Sequence, residues 1–270
     1  MNLIPLREPF DAGARLGTRQ PQRPNPLAWV SLAMIWLCTA AVSRADVVLD
    51  AWDFSDGTNW TSELGYFPLR FTNIINLPGV GDGNGLLLDT SNLSPAQLVF
   101  NTVEDSGATN INPAAGSISL WFKPDWSGTN NGGPGPGAWG RFVEIGTFTT
   151  NATADWWSIY LSPDGCELIF SAQLSNGSRA TYLSAPVSLV SNTWNNIVVT
   201  YSATNSDCYL NSVFVTNGAG VTLVPGPAAM SNGFSIGSSL HGRLFAGAGH
   251  LWGFRHLRRP AEPGGSGGKI

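Results

Sequence analysis

The side chains best suited to binding chemistry are six aromatic and amide residues on or near one long loop. Trp126 and Trp139 lie at the two ends of the Gly/Pro-rich segment DWSGTNNGGPGPGA. An indole ring can stack on the C–H face of a sugar, and side-chain amides can bond its hydroxyl groups. We therefore predict a ligand-binding set, with packing in the core as the alternative for its tryptophans. The set consists of Trp126, Trp139, Trp156, Trp157, Asn130 and Asn131.

Strand geometry restricts how two members of this set can be used. Trp156 and Trp157 are adjacent, so in a strand they must point to opposite faces of the sheet, and we expect at least one to be accessible. The other prominent tryptophans, Trp52, Trp121 and Trp194, occur beside apolar strand-like runs. For these three we predict core packing.

Catalytic patterns are missing from the sequence. It contains no G-x-S-x-G, no P-loop, no dinucleotide fingerprint and no H-E-x-x-H. Its histidines, His241, His250 and His256, come late in the chain. The isolated Glu144, in FVEIG, is interpreted as an ordinary strand residue. The sequence therefore predicts a protein that is not an enzyme.

Composition favours strands and turns and disfavours a nucleic-acid partner. Charged residues make up 12% of the 270 residues, with a formal net charge of −4, against about 25% charged residues in a typical soluble domain. Nucleic-acid binding calls for clustered lysine and arginine. Gly, Ser, Thr and Asn are abundant after residue 46, as is typical of strands joined by turns.

The N-terminal segment is predicted to be a signal peptide, residues 1–45. A basic region precedes the apolar run at 27–42, and the small residues Ser43 and Ala45 follow it. The alternative is a membrane anchor, but the run of 16 residues is shorter than the roughly 20 that span a bilayer. We expect cleavage after Ala45, a secreted or extracytoplasmic location and no stable membrane span afterwards.

Two cysteines, Cys166 and Cys208, remain in the predicted exported part. In an oxidising compartment an isolated pair can form one disulfide. Each begins an apolar run, so burial as a small apolar side chain is the alternative. Neither has neighbours that suggest a zinc site or a nucleophile.

Apolar runs and turn residues alternate every 8–12 residues or so from residue 47 onward, and helical periodicity is missing. This spacing predicts about twelve to fourteen short strands in a sandwich or barrel. The clearest strand is SISLWFKP at 117–124, which alternates strictly. Asn211-Ser212, between two apolar runs, predicts a tight hairpin turn.

Two motifs carry a resemblance to a known family. WNNIVVTY at 194–201, followed by YLNSVFV at 209–215, and SISLWFK at 117–123 resemble motifs of the laminin G-like modules of the concanavalin A-like lectin/glucanase superfamily. The family usually has Asp-Gly where this sequence has Asn211-Ser212. The resemblance covers nearly all of 47–254. It implies an all-β, two-sheet antiparallel jelly-roll sandwich over 46–254, whose opening strand pairs with its last strand.

The resemblance also implies two kinds of site. Glucanases of the superfamily carry E-x-D-x-x-E on one strand, and this string is absent here. Many laminin G-like sandwiches bind Ca²⁺ through loop oxygens, and in GDGNGLLLD the candidates are Asp82, Asn84 and Asp89. The alternative is that these residues only form turns.

The C-terminus departs from the family pattern. Family members end on an acidic and apolar strand, whereas residues 255–270 here are basic and rich in Gly and Pro. We interpret them as a solvated tail. A one-base shift after Phe254 could instead encode FDTYDAPLSPAEVAA, so the coding DNA would test whether a frame-shift has truncated a longer protein.

The sequence thus predicts an exported, non-catalytic binding module for carbohydrate or another extracellular ligand, such as a protein. One alternative is a structural or adhesive domain truncated from a larger secreted protein. The other is a glycoside hydrolase, which would require two carboxylates to converge from different strands.

Overall fold

The computed structural model describes residues 47–54, 60–80, 84–88, 96–240 and 249–258. Within them the chain forms fifteen strands. In chain order these are β1 (Val47–Trp52), β2 (Arg70–Thr72), β3 (Ile74–Pro78), β4 (Asn84–Leu88), β5 (Gln97–Phe100), β6 (Gly116–Pro124), β7 (Gly140–Gly146), β8 (Trp156–Leu161), β9 (Glu167–Gln173), β10 (Arg179–Pro186), β11 (Asn195–Tyr201), β12 (Asn205–Leu210), β13 (Val213–Ala219), β14 (Phe234–Ile236) and β15 (Gly249–Arg258).

These strands form two sheets with antiparallel pairing. Sheet A has eight strands in the order β13-β12-β11-β6-β15-β4-β3, with β1 paired to β15. Sheet B has seven, in the order β10-β9-β8-β7-β14-β5-β2. The predicted all-β, two-sheet antiparallel sandwich is confirmed. The prediction missed β3, which follows β2 after a single residue.

Alternation along the strands builds the core between the sheets. In β6 the buried Ile118, Leu120 and Phe122 face inward. Trp157 of sheet B packs edge-on against Phe170, with ring centroids 4.9 Å apart. Because apolar side chains recur every second residue, each sheet presents one apolar face and the two faces bury one another.

The hairpin motif forms as predicted. β11 pairs with both β6 and β12, and β12 pairs with β13. Asn211 and Ser212 have φ of 53° and 67°, the left-handed values that a two-residue type I′ turn requires. This turn connects β12 to β13.

Two of the three tryptophans predicted for the core are not in it. Trp52 is fully buried, as predicted. Trp121 and Trp194 are only half-buried, and Trp121 alternates with Leu120 and Phe122, which places it on the outer face of sheet A. The Lys123 ammonium lies 5.3 Å from the Trp194 ring centroid. The alternation of SISLWFKP itself places Trp121 on the face of Ser117 and Ser119, and Trp194 lies just before β11 begins.

The last strand corrects the predicted domain boundary. β1 pairs with β15, as the resemblance implied, and β15 continues to Arg258. His256 is fully buried, and its Nε2 accepts a hydrogen bond of 3.2 Å from the Asn112 N–H. Burial lowers the pKa of His256 to about 4. Residues 255–258 therefore belong to the sandwich and not to a solvated tail.

The predicted disulfide is not formed, and both cysteines are free. Cys208 is fully buried in β12, and burial raises the pKa of its thiol to about 12. Cys166 precedes β9, and its sulfur lies 3.1 Å from the Thr129 hydroxyl. Cys208 thus follows the alternative interpretation, in which cysteine serves as a small apolar core residue.

Helical structure in the described part of the chain is limited to a 3-10 turn at Thr129–Asn131 and a single turn at Pro227–Met230. None of the described helices has the length and apolar character needed to span a bilayer.

Candidate functional site

The outer face of sheet B carries the candidate site. β8 alternates between two roles: Trp157, Ile159 and Leu161 enter the core, whereas Trp156 and Tyr160 face outward. The prediction that the adjacent Trp156 and Trp157 point to opposite faces is confirmed. The expectation that at least one of them is accessible is wrong, because they are only 3% and 0% exposed. β8 therefore supplies the aromatic floor of a cleft on the side of the sheet away from the core.

We call this cleft, a cavity of about 810 Å³, the aromatic cleft. Its aromatic side chains form a row in the order Phe148, Trp156, Tyr160 and Trp139. Successive ring centroids in this row are 5.1, 5.5 and 5.5 Å apart. Trp139 has 41% of its surface exposed, and Phe148 is also exposed, so both ends of the row reach solvent. The lining consists of Trp139, Arg141, Glu144, Thr147, Phe148, Thr149, Thr150, Trp156, Tyr160 and Ser239.

A buried ion pair lies against the middle of the row. Arg141 Nε donates to Glu144 Oε2 at 2.9 Å, and these residues are only 5% and 2% exposed. The Arg141 guanidinium carbon lies 4.5 Å from the Tyr160 ring centroid and 5.3 Å from that of Trp156. Planar guanidinium groups stack well on aromatic faces. The cleft thus joins apolar rings to a fixed pair of opposite charges.

A β-bulge brings the two charged residues to the same face. In a regular strand, residues three apart point to opposite faces. The register of β7 against β8 shifts between Arg141 and Val143, and the extra residue of such a bulge reverses the alternation. Glu144 was predicted to be an ordinary strand residue. Glu144 does lie within β7, and the bulge places it beneath the cleft beside Arg141, a buried ion pair that the prediction did not include.

The groups around Glu144 shift the pKa of its carboxyl group in opposite directions. Burial raises the pKa of its carboxyl group, whereas Arg141, the Ser239 hydroxyl and the Trp156 indole hold that pKa down. Ser239 Oγ donates to Glu144 Oε1 at 3.1 Å. The buried Trp156 N–H completes no hydrogen bond of normal geometry, so its effect on the carboxylate is that of a nearby dipole. Burial also lowers the pKa of Arg141, whereas the negative charge of Glu144 raises it.

Only two of the six predicted ligand-binding residues line the aromatic cleft, namely Trp139 and Trp156. Trp157 is in the core, where its N–H donates to the Pro113 carbonyl at 3.2 Å. Trp126 is 6% exposed and packs beside Phe122, with ring centroids 6.2 Å apart. The prediction was therefore wrong for Trp126 and Trp157, because burial and not ligand access determines their positions.

The two loop amides stabilise the loop itself and do not reach the cleft. Asn130 Nδ2 donates to the Val187 carbonyl at 2.9 Å, and Asn131 Nδ2 donates to the Leu189 carbonyl at 3.1 Å. They tie the Gly/Pro-rich loop to the segment that follows β10. Both were predicted as ligand contacts, and the structure assigns them to loop packing.

The predicted calcium candidates fall largely outside the described residues. Asp82 and Asp89 lie in undescribed segments, whereas Asn84 begins β4 and pairs with Pro78. Among the residues that the structure describes, no cluster of three His, Cys, Asp or Glu side chains is placed to hold a metal ion.

Comparison with known proteins gives a family match and similar folds. A family model described as concanavalin A-like lectin/glucanases superfamily matches residues 101–249, more than half of the chain. No curated protein matches. Among solved structures, domain 4 of the extracellular arabinanase AbnA from Geobacillus stearothermophilus, in complex with arabinotriose, is 14% identical with a TM-score of 0.55. That match covers 79% of this chain and 93% of the arabinanase domain.

Two other solved structures are similar at lower scores. The sialidase CBM40 of Ruminococcus gnavus, bound to α2,3 sialyllactose, is 11% identical with a TM-score of 0.43, covering 71% of this chain and 92% of its own. The binding domain of botulinum neurotoxin serotype G is 14% identical with a TM-score of 0.48, covering 78% and 48%. At 14% identity the similarity to the arabinanase domain is one of fold. The family match covers the aromatic cleft, and by it the chain belongs to the concanavalin A-like lectin/glucanases superfamily, as its laminin G-like motifs indicated.

Proposed function

We propose that this protein is an exported, non-catalytic module that binds carbohydrate in the aromatic cleft. The observation that carries the proposal is the row of four aromatic rings, accessible at both ends, with the Arg141–Glu144 pair held against its middle. Sugar rings offer apolar C–H faces and polar edges together, so they need both kinds of surface in one site.

The size and rim of the cleft suit a sugar ligand. Small-molecule sites usually enclose about 300–1,000 Å³, and the cleft encloses about 810 Å³. Thr147, Thr149 and Thr150 follow β7 and bring hydroxyl and backbone groups to the Phe148 end. Such groups can both donate and accept hydrogen bonds, as sugar hydroxyls do.

The arrangement favours binding over glycoside hydrolysis. Hydrolysis ordinarily uses two carboxyl groups, about 5–9.5 Å apart, on either side of the scissile bond. Glu144 is the one carboxylate among the described residues that line the cleft. Both of its oxygens are engaged, one by Arg141 and the other by Ser239. We therefore assign Glu144 to the support of the cleft and not to proton transfer.

Export and calcium complete the proposal. Export is supported by the basic region, the apolar run at 27–42 and the small residues that precede position 46.

Calcium binding through Asp82, Asn84 and Asp89 is proposed on the oxygen chemistry of GDGNGLLLD. Calorimetric titration with Ca²⁺, before and after chelation, tests it.

Replacing Trp139 with alanine is expected to weaken glycan binding about ten-fold, equivalent to about 1.4 kcal/mol. The exposed Trp139 ring is the stacking surface at one end of the row. A glycan array identifies a bound sugar, and calorimetry then measures the dissociation constants. Phe214→Ala is the matched control, because Phe214 is an exposed aromatic residue on β13 of the other sheet.

Equal affinity of the Trp139→Ala variant and the wild type would overturn the proposed site. Binding of no glycan by the wild type would favour the structural or adhesive alternative. Release of reducing sugar from a polysaccharide would overturn the non-catalytic assignment.

A further inference from the structure

A second, smaller cavity lies beside the aromatic cleft on the same face of sheet B. It encloses about 260 Å³ and shares Phe148, Trp156 and Tyr160 with the cleft. We call it the β9–β10 pocket, because its remaining lining comes from β9 and β10. These residues are Ser171, Ala172, Gln173, Arg179, Ala180 and Thr181.

Three hydroxyl groups form a row along this pocket, one from each of three neighbouring strands. The Tyr160 hydroxyl lies 3.3 Å from Ser171 Oγ, which lies 3.1 Å from Thr181 Oγ1. Tyr160 belongs to β8, Ser171 to β9 and Thr181 to β10, and Ser171 and Thr181 are directly paired across the sheet. Each hydroxyl can donate and accept, so the row can reverse its direction to suit a ligand. A sugar with neighbouring hydroxyls is a ligand of matching chemistry.

Gln173 adds a buried acceptor that has no donor in the protein. Its Nε2 donates to the Ala154 carbonyl at 2.8 Å and to the Thr147 carbonyl at 3.3 Å. These two carbonyls fix the orientation of the amide, because only its nitrogen can donate to them. Its Oε1 is buried without a hydrogen bond, and the residue is 1% exposed. Buried acceptors are normally satisfied by protein, water or ligand.

Arg179 closes the end of the pocket near the exposed Phe148. Its guanidinium carbon lies 6.0 Å from the Phe148 ring centroid, and Nη2 donates to the carbonyls of Thr149 and Thr150. The Phe148 ring is thus held between the two cavities. Because Arg179 pairs with Gln173 across β9 and β10, the polar groups of the pocket lie on neighbouring positions of the sheet.

We infer that the β9–β10 pocket is a second sugar subsite, contiguous with the aromatic cleft. The ligand class is therefore an oligosaccharide of at least two units, lying across Trp156 and Tyr160 with one sugar on each side, and not a single terminal sugar. This inference rests on the proposed carbohydrate-binding function. It deepens that function by naming the length of ligand and the residues that recognise its second unit.

The test is calorimetric titration of the full chain with cello-, xylo- and arabino-oligosaccharides of one to four units. Arabino-oligosaccharides are included because the arabinanase domain of similar fold was solved with arabinotriose. We expect at least ten-fold tighter binding of two units than of one. Thr181→Val, which removes one hydroxyl from an exposed position of β10, should weaken binding of two or more units about five-fold. It should leave binding of one unit unchanged.

Controls separate this inference from the proposed function. Ser171→Ala should repeat the effect of Thr181→Val, and Thr216→Val on β13 of the other sheet should have none. Trp139→Ala should weaken binding at every length. Two results would overturn the second subsite and keep the first. One is an affinity that does not rise with oligosaccharide length. The other is an affinity that Trp139→Ala weakens but Thr181→Val leaves unchanged. Binding of no oligosaccharide overturns both.

Discussion

Replacing Arg141 with methionine is expected to lower the free energy of unfolding by about 3–5 kcal/mol, the usual cost of removing one partner of a buried ion pair. Glu144 would remain buried beside Trp156, with Ser239 as its remaining hydrogen-bond donor. Methionine fills a volume similar to that of the arginine stem. The loss of stability should therefore come from the unpaired Glu144 carboxylate and not from a cavity. Urea unfolding at pH 7 measures it.

The pH dependence of this loss has a definite sign. Burial already raises the pKa of Glu144, and Arg141 opposes that rise, so the variant should raise the pKa further. A carboxyl group whose pKa is higher in the folded than in the unfolded state destabilises the fold as the pH rises from the unfolded pKa to the folded pKa. The deficit of Arg141→Met should therefore be smaller at pH 4 than at pH 8.

A double variant provides the control for Arg141→Met. Arg141→Met with Glu144→Met should recover stability to within about 1 kcal/mol of the wild type, because well-packed apolar replacements of buried pairs are often neutral. The account requires that each buried charge depends on its partner. It would be contradicted if the single variant were as stable as the wild type, or if the single and double variants lost the same stability.

Replacing Trp126 with alanine is expected to cost about 3–5 kcal/mol of folding stability, as for other buried aromatic residues. Its indole packs beside Phe122 and against the backbone of Gly165, where an added Cβ would lie 2.3 Å from the Trp126 Cζ3 atom. Gly165 has φ of 72°, so the turn and the indole require glycine at this position. Thermal and urea unfolding measure the loss.

The comparison with Trp139→Ala separates a core role from a ligand role. Trp139 is 41% exposed, so its replacement should cost about 1 kcal/mol or less, in keeping with other exposed positions. Trp126→Ala should reduce stability strongly and leave the affinity of the folded fraction unchanged. A Trp126 variant with wild-type stability and weakened binding would return Trp126 to the ligand site.

Strand alternation made most of the fold predictable from the sequence. The opposite orientations of Trp156 and Trp157 follow from their adjacency, and the hairpin at Asn211-Ser212 follows from the left-handed tolerance of asparagine. The pairing of β1 with β15 came from the resemblance and not from local pattern. These features depend on short-range geometry or on a motif, and both are visible in the residues.

The charged half of the site was not predictable in the same way. Arg141 and Glu144 reach one face only because β7 contains a bulge, and alternation by itself places them on opposite faces. A signal was present in the sequence: two opposite charges, three residues apart in RFVE, interrupt an otherwise apolar strand-like run. Charges in such a strand are rarely buried without a partner, so the pairing could have been suspected.

Loop and tail predictions failed for a related reason. Residue type predicts ligand contacts for Asn130 and Asn131, but the chain folds back so that the Val187 and Leu189 carbonyls accept hydrogen bonds from them. His256 was assigned to a basic tail from its neighbours, yet β1 and β6 pair with that part of β15. In each case a partner distant in sequence determines the role.

Indole resonances offer the most direct test of the central claim that the aromatic cleft binds carbohydrate. The ¹⁵N-labelled full chain is titrated with the oligosaccharide that binds most tightly, and indole N–H signals are assigned by single Trp→Phe substitutions. The account predicts shifts of the Trp139 and Trp156 signals, with those of Trp126 and Trp157 unchanged. Shifts confined to Trp121, on the outer face of sheet A, and Trp194, just before β11, would contradict it.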